Sequence, residues 1–166
     1  MFKASAYPAA TWGHPSCGIS PTTMGGFERD ALAAAGLTKP GRCLTTGLIA
    51  HYGVLGTPRA RTTRETIFNY FSVLQMPAVL EHLGDLRIAW SKAYTDLVKR
   101  QYPSNHITGL LTNVMCILIE AGWNPRFYNM WYDENGKRHD VYNMSMTPWQ
   151  ILSPLPMVKV IVESSM

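Results

Sequence analysis

Charge is scarce in this 166-residue chain: Asp, Glu, Lys and Arg together make up 16%, against about 25% in an ordinary soluble domain. So thinly charged a surface is weakly solvated, and part of it is open to serve as an interface. Cysteine is scarce as well. Cys17, Cys43 and Cys116 are odd in number and widely spaced, which excludes the stapled framework of a small secreted domain and fits a reducing, intracellular compartment. Residues 1–18 hold one early lysine, Lys3, and lack the apolar run that a secretory signal requires. Long hydrophobic runs are missing too. The most apolar stretch, residues 107–123, is interrupted by Thr108, Thr112, Asn113 and Glu120 and falls short of the roughly 20 apolar residues of a membrane span. It reads as a buried helix, and no membrane partner is expected.

The common catalytic and nucleotide-binding signatures are also absent: G-x-S-x-G, H-E-x-x-H, G-x-x-x-x-G-K and G-x-G-x-x-G do not occur. The eleven acidic residues are scattered rather than paired. The sequence therefore holds no complete catalytic constellation, and nothing in it calls for a cofactor.

What is present is enough apolar material, 46% of the residues with nine Met and five Trp, to bury one core. The net charge of +4 is distributed unevenly. Residues 1–64 carry seven Lys/Arg against Glu28 and Asp30, whereas residues 65–166 carry eight basic and nine acidic groups. A basic region of this kind suits a polyanion.

Residues 1–20, rich in Pro, Gly, Ser and Thr, read as an extended lead-in. Ser20-Pro21 offers an N-cap and first helical position, followed by Met24, Phe27, Ala31 and Ala35 at helical spacing. A short helix is expected over residues 43–52, ended by Gly53. Thr62 with Glu65 makes a capping box for a helix whose apolar face is Ile67, Tyr70, Phe71 and Leu74. Pro77 opens the longest helix, with a stripe of Val79, Leu83, Leu86, Trp90, Ala93, Tyr94 and Leu97 facing inward and Glu81, Asp85, Lys92, Asp96, Lys99 and Arg100 facing water. After the helix at residues 107–122 the pattern alternates through residues 127–132. Asp133-Glu134-Asn135-Gly136 then supplies a turn, and residues 137–144 return as a second strand. Thr147-Pro148 suggests one more short helical start, and residues 157–162 read equally as strand or helix. The expected fold is mainly α, about five helices in a small irregular bundle with one C-terminal β-hairpin. Residues 21–123 form the helical domain, and residues 124–166 pack a hairpin and terminal segment on the same core.

Several residue groups bear chemistry. His14, Cys17, Cys43 and His51 are metal-ligand types, although the wide gap between the two halves argues against a tetrahedral zinc set. Cys116, inside the apolar helix, reads as a buried thiol. The strongest candidate is Arg59, Arg61 and Arg64 around Thr62 and Thr63. Cations at a helix start are unfavourable there unless an anion joins them, and guanidinium groups, hydroxyls and backbone N–H groups together make a phosphate cradle that Lys39 and Arg42 would extend. The alternative is a solvated loop whose arginines bond elsewhere in the protein. Tyr128, Trp131 and Tyr132 are candidates for base stacking, or simply the inner face of the hairpin.

The order of certain short motifs resembles the region downstream of the palm in non-LTR retroelement reverse transcriptases. These are Thr11-Trp12-Gly13, Gly18-Ile19-Ser20-Pro21-Thr22, Glu28-Arg29-Asp30, the Pro40-Gly41-Arg42 turn, and the late series Gly122-Trp123, Trp131, Asp133 and Gly136. The resemblance implies a helical thumb and connection gripping nucleic-acid backbone, with phosphate contacts near Arg42 and Arg59 to Arg64. No F/Y-x-D-D sequence accompanies it, and two-metal polymerisation needs clustered carboxylates. What is expected is a nucleic-acid-binding fragment without polymerase activity. The other reading is a helical module that binds a protein partner through its Met- and Trp-rich surface.

Overall fold

Proline marks the helix starts. In a computed structural model, which describes residues 13–37 and 43–142, Pro occupies the first turn of α1 (His14–Cys17), α2 (Pro21–Ala34), α4 (Pro58–Leu74) and α5 (Pro77–Glu81). Its missing N–H costs nothing there, and its fixed φ already suits the helix. α3 (Leu44–Tyr52), α6 (Leu83–Val98) and α7 (Leu110–Glu120) start without it. Ser20 caps α2 by accepting the Thr23 N–H at 3.1 Å.

The chain is mainly helical, as expected, with seven helices among the described residues rather than five. One extra helix comes from a break at His82 (φ −117°, ψ 30°), which splits the expected long helix into α5 and α6. The other is α1, a single turn within the stretch read as an extended lead-in. Its His14 side chain is buried, and Asn113 of α7 donates from Nδ2 to the carbonyls of His14 (2.9 Å) and Pro15 (3.0 Å). Gly18, just after this turn, has φ +70°, and a Cβ there would sit 2.5 Å from Ile107 Cδ1. Both its conformation and its close packing favour glycine.

The hairpin is a three-stranded antiparallel sheet in the order β1 (Asn124–Phe127), β2 (Met130–Tyr132) and β3 (Arg138–Asp140). The run 127–132 is not one strand, because Tyr128 and Asn129 form a two-residue turn between Phe127 and Met130. The second turn follows the sequence closely. Asp133 Oδ1 accepts the Asn135 and Lys137 N–H groups at 2.9 Å each, and Gly136 takes φ +76°. His139 Nε2 donates to Asp133 Oδ2 at 3.0 Å and, with the backbone bonds, holds that carboxyl below its usual pKa.

α4, α6, α7 and the sheet enclose one core containing Ile67, Tyr70, Leu74, Trp90, Leu97, Val114, Met115, Leu118 and Trp131. The inward stripe of α6 is as expected: Trp90 and Leu97 are buried, Leu86, Ala93 and Tyr94 are half-buried, and the six charged residues named above are exposed. Tyr70 donates its hydroxyl to the Tyr128 carbonyl at 2.6 Å, and Trp90 Nε1 donates to the Pro125 carbonyl at 2.8 Å, so the sheet is bonded to the helices by buried polar atoms. A smaller core of Ala31, Leu32 and Leu48 joins α2 to α3, where Gly47 leaves room for Leu32. No helix among the described residues is long and apolar enough to cross a membrane. The start at Thr147-Pro148 and the stretch 157–162 lie outside the described residues.

Candidate nucleic-acid interface

The arginine cluster lies on α4, and the register of that helix decides what each residue can do. Thr57, not Thr62, is its N-cap, accepting the Ala60 N–H at 3.4 Å, with Pro58 in the first turn. Thr57 is fully buried and Pro58 and Ala60 are buried beside it, so the helix start is covered by protein. The expected phosphate cradle of open N–H groups is therefore not formed.

Thr62 and Thr63 lie inside the helix and are only 5% and 6% exposed. The Thr62 hydroxyl donates back to the carbonyls of Pro58 and Arg59 at 3.1 and 3.0 Å. Both residues are buried and line a cavity bounded by α2 and α7, away from Arg61 and Arg64 on the outer face, which corrects their placement among phosphate contacts. Glu65, expected to close a capping box, instead lies with Oε2 3.6 Å from His14 Nε2.

The three arginines diverge. Arg59 pairs with Glu28 of α2, its Nε 3.1 Å from Oε1 and its Nη2 3.5 Å from Oε2, and Glu28 itself is buried. Arg59 also lines a cavity of about 110 Å³ together with Met24, Thr63, Thr66, Cys116 and Glu120. Glu120 keeps solvent contact at the rim but is crowded by the wall, and this burial pushes its carboxyl pKa up while Arg59 opposes the rise. The Arg59 charge is thus answered within the protein by Glu28.

Arg61 and Arg64, one turn apart, lie on the other side with Phe68. The Arg64 guanidinium sits over the Phe68 ring, 5.3 Å from its centroid, and Phe68 is 43% exposed. Together with Pro15, Glu65, Asn69 and Ser72 these residues line a shallow groove, with Glu65 also 3.6 Å from His14 Nε2. Helical spacing of three and four places them on one face, with the Arg64 guanidinium against a solvent-exposed ring. Lys39 and Arg42 lie outside the described residues.

The aromatic candidates for base stacking separate in the same way. Trp131 is fully buried, 6.0 Å from both Tyr70 and Phe71, and cannot stack on a base. Tyr132 is half-buried, with its hydroxyl donating to Met130 Sδ at 3.4 Å. Tyr128 is half-buried at the turn and packs edge-on to Tyr142. Phe68 is an exposed ring beside the arginines that sequence reasoning missed. Its signal was present, since it follows Arg64 by four residues on a helix.

The metal-ligand types do not converge. His14 is buried and donates from Nε2 to the Thr62 carbonyl at 3.2 Å, while Cys17 and Cys43 are exposed on separate elements. His51 stacks edge-on against Tyr52. Among the described residues no three His, Cys, Asp or Glu side chains gather as ligands for an ion. Cys43, the residue before α3, has a thiol pKa lowered mainly by hydrogen bonding to the Thr46 backbone, whereas burial pushes the Cys116 thiol up to about 12.

Compared with known proteins, the chain matches no family model, no curated sequence and no solved structure.

Proposed function

We propose that this chain binds the phosphate backbone of nucleic acid through the outer face of α4, without catalysing a reaction of its own. Such binding is similar to what a reverse-transcriptase thumb does. One observation carries it: Arg61 and Arg64 stand one turn apart on the outer face of a long helix, and Phe68 supports the second guanidinium. Arg59 belongs to the scaffold through Glu28. The surplus of basic residues before position 65 adds a long-range attraction for polyanions.

Fluorescence anisotropy of a labelled short duplex, with the full chain and with Arg61→Ala/Arg64→Ala, tests this. Low-salt binding in the micromolar range that the double variant loses is the expected result. Equal binding by both proteins would refute the assignment to α4.

A second reading, a surface for a protein partner, is favoured by the apolar side chains left in solvent on α5 and α6. Leu80 is 47% and Ile88 69% exposed, with Met76 before α5 at 50%. Such a contact would respond little to salt, which separates it from phosphate binding.

A further inference from the structure

A second groove, of about 600 Å³, runs between α6 and the β1–β2 turn. Its walls carry Arg87 and Arg126 with the rings of Tyr94, Phe127 and Tyr128, and Asn129 at the turn. No Asp or Glu lines it, whereas Glu65, Asp96 and Glu120 each line another depression of the surface. Asp140, paired with Met130 across β2 and β3, accepts the Tyr142 N–H at 3.0 Å.

The groove is held in shape from below. Trp90 and Tyr94 of α6 donate to the Pro125 carbonyl and Asn124 Oδ1, each at 2.8 Å, which ties the two walls together, and Tyr70 of α4 holds the turn through the Tyr128 carbonyl at 2.6 Å. Phe127 is 38% exposed, and the Arg126 guanidinium lies over its ring, 5.6 Å from the centroid. Two cations with no lining carboxylate, the exposed Phe127 ring, the half-buried Tyr128 ring and a turn amide offer complementary contacts to a ligand with both a phosphate and a flat heterocycle.

We infer that this groove binds a nucleotide unit of a single strand, the phosphate at Arg87 and Arg126 and the base against Phe127 and Tyr128. The inference rests on the nucleic-acid reading above. It adds a second contact on a different face, one that distinguishes single strands with bases from bare backbone. α4 takes phosphate alone, while the groove takes phosphate and base together.

The test compares a labelled oligothymidylate with an abasic strand of equal length, using the full chain and the variants Phe127→Ala, Arg87→Ala and Arg61→Ala/Arg64→Ala. The full chain is expected to bind oligothymidylate about tenfold more tightly than the abasic strand, the worth of one stacked base. Phe127→Ala should bring that ratio near one, Arg87→Ala should weaken both strands, and Arg61→Ala/Arg64→Ala should weaken both while leaving the ratio intact. Thermal melts of Phe127→Ala and Arg87→Ala, expected to match that of the unaltered chain, separate a lost contact from a lost fold.

A ratio near one in the unaltered chain, or a ratio unchanged by Phe127→Ala, overturns the groove assignment. If the ratio holds but Arg61→Ala/Arg64→Ala changes nothing, the α4 reading fails and the groove stands. No binding of either strand removes both.

Discussion

Arg59→Ala is a stability variant rather than a binding variant. Glu28 is only 7% exposed, and Arg59 is the basic group bonded to it, at 3.1 Å through Nε. Removing one partner of a fully buried pair costs about 3–5 kcal/mol, because the remaining charge is left unpaired in a low dielectric. The Arg59 side chain is 35% exposed, so solvent already screens the pair and water can reach Glu28 after truncation. This lowers the expected loss to about 2 kcal/mol, equivalent to a fall of roughly 6 °C in Tm for a domain of this length.

Chemical denaturation of four proteins, the unaltered chain, Arg59→Ala, Glu28→Ala and the double variant, measures the coupling directly. The two single losses should be non-additive by about 1 kcal/mol or more. Additive losses would mean that the pair is a passive contact, and the division between a structural Arg59 and a binding Arg61 and Arg64 would lose its basis.

Asn113→Ala removes two hydrogen bonds to the α1 backbone and should cost about 2 kcal/mol, with amide exchange rising first around Cys17 and Gly18; protection unchanged there would show that α1 is held by other contacts. Thiol labelling at neutral pH should run in the order Cys43, Cys17, Cys116, since the Cys43 thiolate is favoured by backbone hydrogen bonds and Cys116 is 2% exposed. Mass spectrometry of partly labelled protein reads that order. The depressed pKa of Asp133 means that its contribution is present above the ordinary carboxylate range and is lost as pH falls through the lower, folded value. The β2–β3 turn should therefore loosen on acidification below about pH 4, and Asp133→Asn should flatten that pH response in NMR spectra of Gly136.

Local signals were legible wherever a residue fixes its own backbone. Ser20-Pro21 and Pro77 marked helix starts, and the Asp133 to Gly136 turn was readable because Asp bonds backbone two residues on while Gly supplies positive φ. At α4 two local signals competed. Thr57-Pro58 won over the Thr62 and Glu65 box because helical periodicity continues back through Ala60, burying Thr62 and Thr63 on the inward face. Alternation at residues 127–132 carried no information about which face was covered, and Trp131 became core.

Long-range pairing was not legible at all. Nothing near Arg59 in sequence points to Glu28, 31 residues away, and the groove exists only once α6 meets β1. Arg87 nonetheless sits one turn before Trp90 and Ser91 and two turns before Tyr94, a spacing that places it on the flank of the buried stripe.

The most direct test of phosphate binding by α4 is the dependence of duplex affinity on salt. Each phosphate contact contributes about 0.9 to the slope of log K against log salt. Arg61→Ala/Arg64→Ala should therefore lower the slope by nearly two, while Arg59→Ala, measured where it remains folded, should leave it unchanged. An equal slope for all three proteins, or a loss confined to Arg59→Ala, would contradict the account.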